Sequence, residues 1–272
     1  MSDTVLSVDG LVKRFAPRST GFRRKAEGDG HLAVDNVSFS VGRGEVLGIA
    51  GASGSGKTTV ARCLVRLVEP DAGTVDYAGA DVLAARGDEL RELRRRMQMI
   101  YQNPYSSLNP RMTVGDAILE AGRVHKRPGS ERGDTFVEEF LDLVHLSSGT
   151  AQRYPRELSG GQRQRVVIAR SLAVGPDFLI ADEAVSALDV SVQAQLLNLL
   201  LELRDELGLS MLFISHQLAV LATIADHVAI MHLGRIVETG DTATVFSDPQ
   251  HDYTRTLLAA DPPSVPVPVE VE

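Results

Sequence analysis

Residues 51–59 read GASGSGKTT, directly after the apolar run VLGIA (46–50) and at the head of TTVARCLVRLV (58–68). Three glycines in six positions cost backbone entropy that an ordinary turn does not require. A backbone that curls around a polyanion does require them, because glycine lets successive N–H groups point at one centre. The flanks agree. VLGIA is apolar on both faces, as a strand covered by helices is, and the segment after the loop suits a helix whose positive N-terminal end faces the same anion. Gly51-x4-Gly56-Lys57-Thr58 thus has P-loop spacing in a strand–loop–helix context. The expected ligand is a nucleoside triphosphate held by Gly51, Ala52, Ser53, Gly54, Ser55, Gly56, Lys57, Thr58 and Thr59. Lys57 would bridge the β- and γ-phosphates, and the Thr58 hydroxyl would bind Mg²⁺.

The whole chain sets bounds on that reading. Its 272 residues are enough for one large domain or two small ones, and 43% hydrophobic with 24% charged residues is ordinary for a globular protein. A net charge of −8 argues against a sequence-blind grip on nucleic acid, so none is expected as a partner. The single cysteine, Cys63, excludes an internal disulfide or a cysteine-ligated cluster. MSDTVLSVDG lacks the charged-then-apolar pattern of a signal peptide, and no apolar run approaches 18 residues. A reduced, cytoplasmic setting is the expectation.

Outward from the loop, LSVDGLVKRF and LAVDNVSFSV alternate as half-exposed strands do, around the polar, Gly-rich PRSTGFRRKAEGDG, read as a flexible loop. Apolar runs recur at Val46 to Ala50, Phe178 to Ala181 and Met211 to Ser215, as central strands of a parallel sheet would. In DVSVQAQLLNLLLELRDELG, Leu196, Leu199, Leu200, Leu203 and Leu207 fall on one helical face, with Gly208 as the stop and Asp189 or Ser191 as the cap. This is an α/β pattern. Residues 103–160 break it with the turn-rich NPYSSLNPR and the helical FVEEFLDLV, which suggests an inserted helical subdomain. HVAIMHLGRIVETG reads as a hairpin turning at Leu233-Gly234, and DPPSVPVPVEVE as a disordered tail.

A P-loop alone leaves the chemistry open. The run Phe178–Ala181 ends in Asp182 and Glu183, which places Asp182 to hold the Mg²⁺ shell and Glu183 to orient and polarise the attacking water. Leu158-Ser159-Gly160-Gly161-Gln162 then opens a second glycine-lined helix, capped by Ser159, with Val166, Ala169, Leu172 and Ala173 on its apolar face and Gly175-Pro176 closing it. One phosphate group does not need two such helix ends from one polypeptide. The second end is expected to meet the nucleotide of another copy or a partner.

GASGSGKTT, LSGGQRQRVVIARSL, FLIADE, SALD and His216 occur in the order of the ATP-binding-cassette (ABC) ATPases, and over nearly the whole chain the sequence resembles that family. YQNPYSSLNPRMTVGDAI, SALDVSVQAQLLNLL and FSDPQHDYTRTLL resemble its peptide and nickel importer branch. The resemblance implies ATP and Mg²⁺ as ligands, and head-to-tail dimers in which each ATP lies between one subunit's P-loop and the signature Ser159, Gly160, Gly161 and Gln162 of the other. It implies that Gln102 senses the γ-phosphate and Mg²⁺ (partly through water) and links to the membrane subunits. His216 is then the switch residue on the γ-phosphate, catalytic with Glu183, Asp189 crosses the dimer interface, and Phe15 stacks on adenine. The implied Mg²⁺ shell is Thr58, Gln102 and Asp182. Where relatives have Pro-Thr after the catalytic glutamate, this chain has Ala184-Val185.

The expected architecture is a P-loop NTPase (RecA-like) core with a parallel sheet, an N-terminal antiparallel β subdomain and an inserted α-helical subdomain. Its expected boundaries are 1–102 for the β subdomain and P-loop half, 103–162 for the helical subdomain with the signature, 163–240 for the second half of the core and 241–272 for a C-terminal extension. The function that follows is the ATPase subunit of a dipeptide or oligopeptide importer on the cytoplasmic face of the plasma membrane. Its partners would be two membrane-spanning permease subunits, a second ABC ATPase subunit (the same chain or another) and an extracytoplasmic substrate-binding protein. Nickel or another small solute is the alternative cargo, and a soluble ABC ATPase acting on DNA or ribosomes the alternative class.

Overall fold

The computed structural model describes residues 4–16, 30–103 and 107–262. Most of PRSTGFRRKAEGDG, residues 104–106 of NPYSSLNPR and nearly all of the proline-rich tail lie outside the described residues. The described residues form two compact units, one within residues 1–42, 47–87 and 215–272, the other within residues 43–46 and 88–214.

The first unit opens with β1 (Thr4–Phe15) and β2 (His31–Gly42), paired antiparallel with several register shifts. Val5, Leu6, Val8 and Leu11 are buried, with Val41 across from Leu6 and Val37 across from Leu11, and the register shifts break the strict alternation of faces along the pair. β3 (Val46–Ala50) is buried at every position and runs into the loop and α1 (Lys57–Leu64). β4 (Ala72–Tyr77) pairs with the free side of β1, and β5 (Ala80–Asp81) with β4, giving a sheet of order β2-β1-β4-β5.

The chain then builds the second unit. α2 (Gly87–Arg96) carries Asp88 and Glu89 in its first turn and Arg94, Arg95 and Arg96 in its last, which suits the helix dipole at both ends. It leads directly to β6 (Met97–Ile100). α3 (Val114–Val124) is capped by Thr113, whose Oγ1 accepts from the N–H of Asp116 at 3.1 Å. It packs with α4 (Asp134–Leu143), whose Phe136 ring occupies the space a side chain at Gly122 would take. The helical segment expected after residue 103 is present. α5 (Gly160–Leu172) follows, then β7 (Phe178–Asp182), α6 (Val190–Leu207) and β8 (Ser210–Ile214). β6 pairs parallel with β7, and β7 with β8. Two details differ from expectation. α5 ends at Leu172 rather than at Gly175-Pro176, because Ala173 to Gly175 form a separate turn closed by Gly175 N–H to Leu172 O (2.8 Å), with Gly175 at φ 78°. Asp189 takes the N-cap position of α6 but its side chain makes no cap hydrogen bond, whereas Gly208 ends that helix left-handed as expected.

The return to the first unit supplies α7 (Leu218–Ile224), the hairpin β9 (His227–His232) and β10 (Arg235–Asp241), α8 (Thr242–Ser247) and α9 (Asp252–Ala260). The hairpin turns at Leu233-Gly234, both at positive φ, and β9 runs parallel to β3. Parallel apolar strands joined by helices, together with an antiparallel N-terminal sheet, bear out the α/β expectation.

Candidate active site

The loop 51–56 is shaped from outside as well as by its own glycines. A Cβ at Gly51 would meet Met231 O at 2.2 Å, and one at Gly56, which is at φ 111°, would meet Ala33 O at 2.1 Å, so only glycine fits either place. Within the loop, Ser55 N–H donates to Ala52 O at 3.1 Å, and Ser55 O accepts from Gly234 N–H at 3.0 Å. Lys57 is buried, and its Nζ donates to Gly51 O (2.8 Å) and Ala52 O (3.0 Å), which draws the ammonium into the curl of the loop. Gly56 is the N-cap of α1, so the positive end of that helix's dipole stands at the loop. Ala52, Ser53 and Gly54 form the exposed crown, while Thr58 and Thr59 are part-exposed.

Two other expected residues lie in the same unit. His216 is exposed, directly after Ser215, whose N–H donates to Ile49 O at 3.2 Å and whose Oγ accepts from Gln217 N–H at 3.0 Å. The bend that carries His216 is therefore tied to the strand entering the P-loop. Phe15, 40% exposed, ends β1 with the Lys13 ammonium 5.6 Å from its ring centroid. An exposed ring at a strand end is open to stacking.

The second unit brings Gln102 and Glu183 together. Asp182 is buried at the last position of β7, and Glu183 follows it at φ 50°, a left-handed conformation that costs a non-glycine residue on the order of 1–3 kcal/mol. Glu183 N–H donates to Ile214 O at 3.0 Å, and Ser186 Oγ donates to Glu183 O at 3.0 Å, so backbone bonds on both sides impose that conformation. From that position the side chain meets Gln102, whose Nε2 donates to Glu183 Oε2 at 2.8 Å. Ala184 and Val185 are both buried, and Gln193 Nε2 donates to Val185 O at 2.9 Å. The departure from Pro-Thr is thus filled by apolar packing and a hydrogen bond from α6.

The signature segment is a preformed helix start. Ser159 Oγ accepts from Gln162 N–H (3.2 Å) while Gln162 Oε1 accepts from Ser159 N–H (3.1 Å), a reciprocal capping box. Arg163, buried, fixes the approach by donating to Pro155 O and Leu158 O. Gly160 and Gly161 allow α5 to sit close on the start of α6: a Cβ on Gly161 would lie 2.5 Å from Val192 Cγ1. Asp189 and Val190 are exposed at that end of α6. One contact that sequence reasoning missed concerns the loop itself: Tyr253 Oη accepts from Ala52 N–H at 3.2 Å across 201 residues, and no local signal marks it.

A phosphate-shaped loop with a buried lysine, and a strand ending in an acidic pair, define a nucleoside-triphosphate-binding α/β protein. Residues 34–186 match the family model for ABC transporters, and the chain belongs to that family. It is 48% identical over 263 residues, 96% of this chain and 80% of the other, to a Brucella ovis protein named as a peptide import ATP-binding protein. It is 48% identical to the glutathione import ATP-binding protein GsiA of Salmonella paratyphi A, over 97% of this chain and 42% of that one. Among solved structures it resembles the ATP-binding cassette MJ0796, a dimer in a post-hydrolysis state bound to ADP and Pi, with TM-score 0.73, 26% identity, and coverage of 87% of this chain and 98% of that one.

Proposed function

We propose that this protein is the ATP-hydrolysing subunit of an importer for dipeptides, oligopeptides or a peptide as small as glutathione. The observation that carries the cargo class is the 48% identity, over 96% of the chain, to a relative named for peptide import. ATP binds with its phosphates on the N–H groups of the P-loop and the Lys57 ammonium. Glu183 orients and polarises the attacking water, held for that task by its hydrogen bond from Gln102. His216 contacts the γ-phosphate, and Phe15 stacks on the adenine. Thr58, Gln102 and Asp182 offer only oxygen donors of hydroxyl, amide and carboxylate type, the set a hard cation takes, and these residues would hold Mg²⁺. When bound, that ion neutralises charge on the transferring phosphoryl group.

In this reading two copies, or this chain and a second ATPase, close head to tail on two ATPs. Ser159 to Gln162 of each meets the other's nucleotide, and Asp189 crosses between them. Opening after hydrolysis moves the segment near Gln102 to Met112, where two membrane-spanning permease subunits dock. The protein is peripheral, on the cytoplasmic face of the membrane; among the described residues no helix is long and apolar enough to cross one. A substrate-binding protein outside the membrane selects the cargo, and no nucleic acid is involved. Two measurements test this. Glu183→Gln keeps ATP binding, lowers turnover at least 100-fold and accumulates an ATP-dependent dimer, and turnover near that of the unaltered protein sinks the mechanism. A pull-down from gently solubilised host membranes recovers two multi-span proteins, and recovery with DNA or ribosomes instead sinks the transporter reading.

A further inference from the structure

α9 holds little of the core. Among its residues only Thr254 is buried, so apolar packing does not decide where this helix lies. Polar fastenings decide it. At its start, Glu238 on β10 accepts from the N–H groups of Gln250 (2.7 Å) and His251 (3.1 Å), and His251 Nδ1 accepts from Tyr253 N–H (3.1 Å). The Tyr253 ring lies on the His232 ring with centroids 3.8 Å apart, and its hydroxyl accepts from Ala52 N–H. At the far end, Asp261 Oδ2 accepts from Leu218 N–H at 3.2 Å, and Leu218 stands two residues after His216. Asp261, the C-cap of the helix, stands eight positions after Tyr253, about 12 Å at the α-helical rise.

We propose that α9 is a brace between the phosphate loop and the switch segment, in which Tyr253 is a positioning residue for the P-loop and Asp261 for the bend carrying His216. The Gly51–Ala52 stretch shows why the tyrosine matters. Ala52 O already accepts from Lys57 Nζ and Ser55 N–H, inside the loop, so its own N–H is the handle left on the outer side. Tyr253 holds that handle, and through it the position of the carbonyl on which Lys57 rests. The tyrosine ring lies in turn on His232, the residue after Met231, whose carbonyl stands against Gly51. The brace acts on ATP only through these backbone groups.

The test is a double-mutant cycle on ATP affinity, in the full chain carrying Glu183→Gln so that nucleotide is not consumed. Tyr253→Phe removes the hydroxyl and keeps the ring on His232. Asp261→Ala releases the far end. Each is expected to weaken ATP binding three- to fivefold, the size one lost hydrogen bond supports. The double variant is expected to be no weaker than the worse single, because a brace freed at one end is already free. The melting temperature of all three stays within about 2 °C of the parent. Unchanged affinity, fully additive effects, or affinity losses that track falls in melting temperature would each overturn the proposal.

Discussion

Gln102 Nε2 donates to Glu183 Oε2 across 2.8 Å, joining the segment after β6 to the residue after β7. The amide is neutral, so it orients the carboxylate without changing the net charge beside it. Gln102→Ala removes the donor to Glu183 and one of the residues that would hold Mg²⁺, and kcat/KM for ATP should fall about 10- to 100-fold, since one hydrogen bond to a charged group is worth ~1.5–3 kcal/mol. Gln102→Glu does something different. Two carboxylates at that spacing cannot both stay ionised easily, so one holds a proton to higher pH. The ratio of this variant's rate to that of Gln102→Ala should therefore change between about pH 6 and pH 9 as the shared proton is lost. A pH–rate profile of the three proteins reads this directly, and a flat ratio between them would show that the amide does not touch the working carboxylate.

Gly161 is a packing position more than a flexible one. A methyl there would stand 2.5 Å from Val192 Cγ1, and the branched valine has little freedom to turn away on a helix. Gly161→Ala should destabilise the protein by about 1–3 kcal/mol, the usual range for an overpacked contact. Val192→Ala on top of it should recover most of that loss, because it removes the clashing methyl. Urea denaturation of the two single variants and the double variant measures both numbers.

What sequence reasoning reached, it reached through local constraints. The P-loop was legible because backbone curvature forces glycine at fixed intervals, and the Ser159 cap because its partner, Gln162, is three residues away. The strands Val46–Ala50, Phe178–Asp182 and Ser210–Ile214 announce themselves as short runs buried on both faces. β6 did not, because its four residues Met97–Ile100 follow three arginines whose charge hides so short an apolar run. Partners far apart in the chain were out of reach for a different reason: nothing local to Gln102 encodes Glu183, 81 residues on, and nothing local to Tyr253 encodes Ala52. The motif HDYTRTLL was recognisable as a likeness, but only the fold shows what its tyrosine holds.

Glu238 gives the C-terminal helix a pH dependence with a definite sign. Burial pushes its carboxyl up, yet the hydrogen bonds it accepts, including those from the Gln250 and His251 N–H groups, outweigh burial and hold it below the usual range. A depressed carboxyl stabilises the folded state above the pKa of the unfolded chain, about 4.3. That contribution is lost as pH falls through the still lower folded value. Hydrogen-exchange protection of the Gln250 and His251 amides, corrected for intrinsic rates, should therefore hold from pH 7 to about 5 and drop below about 4. Glu238→Gln should lower the protection at pH 7 and remove the step.

Cys63 makes the helix behind the P-loop observable. It is fully buried on α1, and burial pushes its thiol up to about 11 from 9.0. A thiol that stays neutral at pH 8 is a poor nucleophile, and one without solvent access is poorer still, so a disulfide reagent should label it only when α1 opens. The same shift sets a stability trend: the contribution is intact below pH 9 and is lost as pH rises toward 11, because the unfolded chain ionises first. ATP binds at the N-terminal end of that helix and favours the closed form. Saturating nucleotide at 100 times its Kd should slow labelling by about 100-fold if α1 opens only with the loop released. Labelling at the same rate with and without ATP would mean that the helix opens without disturbing the phosphate site, and that the loop and α1 are not one cooperative unit.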